Sequence, residues 1–298
     1  LKFGNMKQVH LVLGSGGARG MAHIGVIEGL LEEGFEIVDV VGCSMGAVVG
    51  GIYSAGYLQA YSDWLRGLTK STVFGLTDFT FTTQGFIKGE KIFQKIQELT
   101  GDQNIEELEI PFTAIATDMI RRKEVLYRSG NLFTALRASV SIPGVFVPVI
   151  DKNRLLVDGG VLNPLPINHV KKNKDAIIVA VNINALAPND NNIAQVAKEP
   201  ASFLDNEFMN KYFSNFVKPK TKAKQKIPQL SVFELVNTSY DYTQDRLAEV
   251  MEEIYKPEIL VHVPRTSCGT FEFYRAEEMI QMGKEAFQLA LKEYRKTN

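Results

Sequence analysis

The sequence predicts an α/β fold built on a central, mostly parallel sheet, and three observations carry that prediction. Residues 9–13 (V-H-L-V-L) and 37–41 (I-V-D-V-V) are short β-branched runs, each feeding a glycine-rich turn and then a segment with helical spacing. Residues 176–184 (A-I-I-V-A-V-N-I-N) form a continuous apolar run of the kind a strand covered on both faces requires. Two consecutive βα units with right-handed crossovers place both glycine-rich turns at one carboxyl edge of the sheet, where open α/β sheets bind ligands.

In chain order, residues 14–20 (G-S-G-G-A-R-G) join the first strand to a helix over 21–33. Ala22, Val26, Gly29, Leu30 and Glu33 recur there at helical spacing, and Gly34 is the expected left-handed stop. A phosphate-binding loop needs Gly-Lys-Ser/Thr after its glycines, and that triplet is absent. A dinucleotide fingerprint begun at Gly14 needs glycine where Arg19 stands, and Asp39 precedes the next turn instead of ending its strand. An oxyanion hole needs only backbone N–H groups converging on one oxygen, which successive glycines supply. Tight packing of a βα turn explains the same glycines without any ligand.

Residues 42–46 read G-C-S-M-G, between the second strand and an apolar, small-residue helix over 47–55. In that context G-x-S-x-G exposes a serine at a strained strand-to-helix turn, beside helix N–H groups that favour developing negative charge. An ordinary glycine turn has the same letters. A neighbouring loop rich in free amides makes the pair more specific than either alone.

Residues 57–89 lose clean periodicity and hold Trp64, Phe74, Phe79, Phe81 and Phe86 among threonines and glycines. The stretch reads as an irregular excursion that either walls an acyl pocket or tucks aromatics into the core. A helix over 90–99 with Ile92, Phe93, Ile96 and Leu99 on one face stops at Gly101. Residues 111–118 and 124–127 read as a hairpin across a solvated Arg121-Arg122-Lys123 turn, and 132–139 as a helix. A proline- and glycine-broken apolar run follows, then a short strand at 155–157 and Asp158-Gly159-Gly160. A carboxylate on a glycine turn at a strand end suits a catalytic base, and equally a plain turn.

Composition bounds the function. With 298 residues, 45% hydrophobic and 22% charged, the chain is an ordinary globular protein able to bury a large core. A net charge of −1 provides no global attraction to nucleic acid, so no nucleic-acid partner is expected. Two distant cysteines, Cys43 and Cys268, make no disulfide framework and suit a reducing compartment. No apolar run approaches the ~20 residues of a membrane span. With no secretory signal evident, the expectation is a cytoplasmic protein whose folded unit runs from 6 to 298, a single domain starting at Met6.

Taken together, four blocks resemble the patatin-like phospholipase family, especially its bacterial members of the neuropathy-target-esterase branch. Gly16-Gly17-Ala18-Arg19-Gly20 is similar to the family's Gly-Gly-x-Arg-Gly oxyanion segment, and Gly42–Gly46 to its G-x-S-x-G. Residues 138–148 (A-S-V-S-I-P-G-V-F-V-P) look like its serine- and proline-containing block, and Asp158-Gly159-Gly160 matches its Asp-Gly-Gly/Ala. One departure is Ser15, where many members have another glycine. The resemblance implies a three-layer α/β/α patatin-like fold with a core at 7–184. It implies hydrolysis of phospholipid, lysophospholipid or simple acyl esters, with no metal or organic cofactor. Ser44 is then the nucleophile and Asp158 its base in a dyad without histidine. Gly16, Gly17 and Ala18 supply the oxyanion amides, and Arg19 either braces the loop or attracts a head group.

A Ser-His-Asp esterase is the enzymatic alternative, and a non-catalytic module binding an anionic ligand the other. The histidines weigh against a triad: His169 is expected on the surface of a helix ending at Lys171-Lys172, and His262 packed mid-sheet within a strand at 259–263. His10 lies in the first strand and His23 early in the first helix. Residues 185–239 read as a variable lid or insertion. There Leu204, Phe208, Tyr212 and Phe216 form a helical stripe, followed by Lys218, Lys220, Lys222, Lys224 and Lys226. That pattern admits a peripheral membrane contact through 203–226 at the inner membrane surface, a homodimer interface, or a helix covering the core. Helix, strand and helix over 240–298 close the fold, with Leu247, Val250, Met251 and Ile254 facing inward on the first helix and Met279, Ile280, Gly283, Phe287, Ala290 and Leu291 on the last.

Overall fold

The computed structural model describes residues 7–82, 85–171, 175–186 and 232–297. The stripe at 203–217 and the lysine run that follows it lie outside the described residues. The strands are β1 (Lys7–Leu13), β2 (Phe35–Cys43), β3 (Phe79–Thr82), β4 (Gly85–Ile87), β5 (Phe112–Asp118), β6 (Lys123–Tyr127), β7 (Val149–Asp151), β8 (Arg154–Asp158), β9 (Ala176–Ala185) and β10 (Ile259–Pro264). The helices are α1 (Ala22–Glu32), α2 (Met45–Ser54), α3 (Leu58–Arg66), α4 (Lys70–Leu76), α5 (Glu90–Thr100), α6 (Leu132–Ser139), α7 (Val232–Tyr255) and α8 (Ala276–Thr297).

The main sheet runs β10-β9-β1-β2-β5-β8-β7, with β6 also paired to β5. Strands β10 to β5 in that order are mutually parallel, as the βα units predict, while β6, β7 and β8 pair antiparallel. Helices cover both faces, giving the three-layer α/β/α architecture that the resemblance implies. On one face Val9, Leu11 and Leu13 of β1 pack with α1, α2 and α8 in the main core. On the other, Val12, Ile178 and Ala180 meet Leu165, Ile167 and Ala248 of α7. Helices α1 and α8 touch backbone to backbone. A Cβ added to Gly25 would lie 1.8 Å from the Ile280 carbonyl oxygen, and one on Gly283 1.9 Å from that of Ala22.

Four expectations need correction. Residues 57–89 are not irregular: they form α3, α4 and the β3–β4 hairpin. Helix α3 buries only Tyr61, Ser62 and Leu65, too narrow and short a stripe to stand out in sequence. Helix α7 starts at Val232, inside the stretch assigned to the lid and ahead of Tyr240. Its buried face is Gln244, Asp245 and Ala248; Met251 packs against the core as expected, Leu247 and Val250 are half-buried, and Ile254 is exposed. Polar residues sit inward because Arg265 from the β10 end reaches both Asp241 and Asp245. His169 stands in a single 3-10 turn (Ile167–His169), partly buried against Glu124, and not in a surface helix. His262 is on the outward side of β10, half exposed, because β10 is an edge strand. Among the described residues, no helix is long and apolar enough to cross a membrane.

Candidate active site

Sheet register brings Ser44 to Asp158. Strand β5 pairs Ile115 with Cys43 at the last position of β2, and its next residue, Ala116, with Asp158 at the last position of β8. Since β6 occupies the other edge of β5 at these positions, β2 and β8 meet end to end along one edge. Ser44 Oγ, one residue past β2, donates a 2.5 Å hydrogen bond to Asp158 Oδ2. Both residues are buried.

The turn carrying Ser44 is strained, with φ 55 and ψ −125 at a non-glycine residue. Surrounding contacts hold it there. The Ser44 amide donates to Ser139 Oγ at 2.9 Å, and Ser139 in turn donates to the Ile115 carbonyl at 2.6 Å. Gly46 permits the turn, because a Cβ there would sit 2.1 Å from the Leu13 carbonyl oxygen. The serine- and proline-containing block at 138–148 thus has a mechanical role: Ser139, at the end of α6, fastens the Ser44 backbone, and the Ser141 carbonyl accepts from the Asp158 amide at 2.9 Å.

Asp158 is anchored through Oδ1 by the Gly160 amide at 2.7 Å. Burial lifts its carboxyl from an ordinary value of 3.8 to about 7, against the opposing pull of its hydrogen bonds from Ser44 and Gly160. Cys43 Sγ lies 3.9 Å from Oδ1, and burial pushes its thiol well above the usual range, so it is neutral.

The glycine loop flanks this pair. Its Gly14 amide donates to Val181 O, Ser15 to Pro164 O, and Ala18 to Thr270 O at 2.9 Å. The Ala18 amide is therefore engaged, which corrects its expected place among the oxyanion donors. Gly16 and Gly17, by contrast, have no backbone acceptor in the described turns, and Gly17 adopts φ 57. Arg19 braces the loop from within. Its guanidinium donates to Ile183 O at 3.2 Å, Cys268 O at 2.9 Å and Asn184 Oδ1 at 3.0 Å, and it is buried, so it faces no head group. Asn184 also donates to Ser15 O at 2.7 Å. Sequence reasoning missed Asn184; the signal was a pair of asparagines inside an otherwise apolar strand. Ser15 Oγ accepts from Gln244 Nε2 of α7 at 3.4 Å, which is what the serine departure provides here.

No histidine bonds to either member of the pair. His169 meets Glu124, His262 meets Glu252, and His10 lies 3.4 Å from Asp39. His23 Nε2 sits 2.9 Å from Gly14 O, where burial lowers its pKa to about 4 and keeps it neutral.

A cavity opens at Ser44. It encloses about 910 Å³ of space between atoms, its open mouth included, and among the described residues no charged side chain lines it. Gly17, Ser44 and Met45 form one end; Tyr61, Trp64 and Leu65 of α3, Val73 and Leu76 of α4, and Ile92, Phe93 and Ile96 of α5 form the walls. The 57–89 excursion is therefore part of a pocket wall, with Trp64 on it and Phe74 exposed. The side chains of Phe79, Phe81 and Phe86 lie outside the described ones.

A family model described as Patatin-like phospholipase matches residues 11–171, from the first strand past the Asp158 loop. The chain belongs to the patatin-like phospholipase family. An uncharacterized NTE family protein of Mycobacterium tuberculosis strain H37Rv is 34% identical over 96% of this chain and 92% of its own length. Lysophospholipase NTE1 of Pyricularia oryzae is 29% identical over 93% of this chain, which spans only 18% of that protein. The crystal structure of VipD from Legionella pneumophila aligns with 98% of this chain and 67% of its own, at a TM-score of 0.46 and 14% identity. As a patatin-like phospholipase the chain is a lipid hydrolase by family, and all four sequence blocks lie within the matched residues.

Proposed function

We propose that this chain is a serine acyl hydrolase that cleaves acyl ester bonds of phospholipids or lysophospholipids through a Ser44–Asp158 dyad. The observation that carries the reading is the 2.5 Å hydrogen bond from Ser44, which lines one end of an apolar cavity, to the buried carboxylate of Asp158. A carboxyl of ordinary acidity is too weak a base for serine; one titrating near 7 is matched to the task. Ser44 Oγ attacks the ester carbonyl carbon while its proton passes to Asp158 Oδ2. Gly16 and Gly17 amides stabilise the tetrahedral oxyanion, a contribution of about 3 kcal/mol per donor. Collapse expels the alcohol portion, which takes the proton back from Asp158 and leaves an acyl-serine. Water then gives a proton to the same carboxylate and attacks the acyl carbon; collapse breaks the acyl–Ser44 bond, Ser44 Oγ takes the proton back from Asp158, and the fatty acid leaves. The α3–α4–α5 wall holds the acyl chain meanwhile.

A fluorophosphonate probe tests the nucleophile: it is expected to label the wild type and not Ser44→Ala. Equal labelling of both ends the reading. The pocket assignment is tested by Leu76→Trp, which is expected to lower kcat/KM for decanoyl esters at least tenfold more than for butanoyl esters. Equal losses at both chain lengths would remove α4 from the acyl site.

A further inference from the structure

Beyond the cavity, one end of the sheet carries apolar side chains that are exposed among the described residues. Met119 continues β5 past Asp118, and its amide donates to Leu155 O at 2.9 Å. Leu155 pairs with Ile150 of edge strand β7. Registered pairing puts Met119, Leu155 and Ile150 in one cross-strand row on one face. Met119 is 46% exposed, Ile150 72%, and the adjoining Ile120 63%. This is not slack chain. Asp118 Oδ1 accepts from the Ile120 and Arg121 amides at 2.9 and 3.1 Å, while Asp118 O accepts from the Arg122 amide at 2.7 Å. Arg121 crosses to Asn153 O of the β7–β8 turn at 3.3 Å, tying the two turns together. A rigid turn that presents isoleucine to solvent loses little entropy when that residue is buried by a partner.

The charge around the row has one sign. Asp118 is paired with Arg121 and Asp151 with Arg154. Arg122, Lys123 and Lys152 are exposed and make no ion pair among the described residues. Arg122 and Lys152 hold left-handed conformations, φ 55 and 53, at the tips of the two turns. Three uncompensated cations at one tip stand out in a chain whose net charge is −1. The tip lies at the same end of the sheet as Ser44, four residues farther along β5, or roughly 13 Å at the strand rise.

We infer that the β5–β6 turn and the β7–β8 hairpin form a docking tip for an anionic phospholipid surface. Ile120, Met119 and Ile150 enter the acyl boundary while Arg122, Lys123 and Lys152 meet the head groups. The inference rests on the lipid-hydrolase reading for its biological sense, but its geometry is independent of the dyad.

Co-sedimentation of the full chain with vesicles tests it, comparing pure phosphatidylcholine with phosphatidylcholine containing 30% phosphatidylglycerol. The wild type is expected to bind the anionic vesicles at least tenfold more tightly, and less so at high salt. Ile120→Ser with Ile150→Ser, and separately Arg122→Glu with Lys152→Glu, are expected to lose at least tenfold in vesicle binding. Both should hydrolyse soluble p-nitrophenyl butyrate within twofold of wild type. If the first pair fails to fold, the charge pair, at exposed positions, still decides the matter. Unchanged vesicle binding by the charge pair overturns the inference, as does equal binding of wild type to both vesicles, or a dimer split by either pair with vesicle binding intact. Vesicle binding without hydrolysis of any ester would instead overturn the hydrolase reading and leave the tip standing.

Discussion

Asp158→Asn is expected to lower kcat/KM for a soluble acyl ester by at least about a thousandfold while making the protein more stable. The rate loss follows from removing the carboxylate bonded to Ser44 Oγ, since a positioned base contributes roughly 10²–10⁴. Asparagine keeps the shape: its Oδ1 still accepts from the Gly160 amide, and its Nδ2 donates to Ser44 Oγ where Oδ2 had accepted. The stability gain follows from linkage. Folding raises the Asp158 pKa from 3.8 to about 7, so the folded state holds a proton that the unfolded state has released across that interval. Its stabilising contribution is fully present below about pH 4 and is lost as pH rises through 7. Above pH 7 the ionised wild type carries a penalty of up to roughly 4 kcal/mol that asparagine does not. Melting curves should therefore coincide in acid and separate, variant higher, between pH 4 and 7. The wild-type log rate should rise with unit slope up to a pKa near 7 and then level. His169→Ala and His262→Ala should stay within about twofold of wild type. Retention of a tenth of the activity in Asp158→Asn, or its loss in either histidine variant, would sink the dyad.

Gly283→Val is expected to be among the most damaging single changes away from Ser44 and Asp158. Helices α1 and α8 approach so closely that any Cβ at Gly283 meets the Ala22 carbonyl oxygen at 1.9 Å, and backbone cannot step aside as a side chain can. The helices must separate towards the 8–10 Å spacing of ordinary side-chain packing. That would open the core around Met279, Ile280 and Phe287. A cost of at least roughly 3 kcal/mol follows, or some 6–12 °C in melting temperature. Activity should fall too, since the Ala18 amide just before α1 is held by the Thr270 carbonyl just before α8. Gly75→Ala is the control: an added methyl there meets nothing within 4 Å, and in an exposed helix it should be neutral or slightly stabilising. Equal melting of Gly283→Val and Gly75→Ala would show that α1 and α8 can part at no cost.

Much of this architecture is legible from residues alone, because β1, β2, β5 and β9 are buried on both faces and announce themselves as apolar runs. Ser44 and Asp158 are also legible, each on a glycine turn at a strand end. What escapes is whatever depends on neighbours distant in sequence. Nothing local marks Ser139 as the acceptor for the Ser44 amide, or Asn184 as the clamp shared by Ser15 and Arg19. The Ala18 amide looks as free as those of Gly16 and Gly17 until Thr270 is placed beside it. His262 lies in a correctly read strand, but its exposure depends on β10 being at the sheet edge, which strand order alone decides. Helices α3 and α4 are too short for periodicity to rise above the surrounding threonines and glycines.

The end-to-end meeting of β2 and β8 along β5 has a consequence for synthesis. Ser44 and everything that strains its turn, Ser139 included, leave the ribosome before Asp158 does. Until β8 has been made and has joined β5, the emerging chain carries a hydroxyl with no carboxylate against it. At ~5–20 residues per second, the hundred-odd residues between them amount to several seconds of translation. On the proposed dyad, a nascent chain therefore lacks the base for its serine until β8 pairs with β5, and the cavity itself stays incomplete until Thr270, Phe271 and Phe273 have been made.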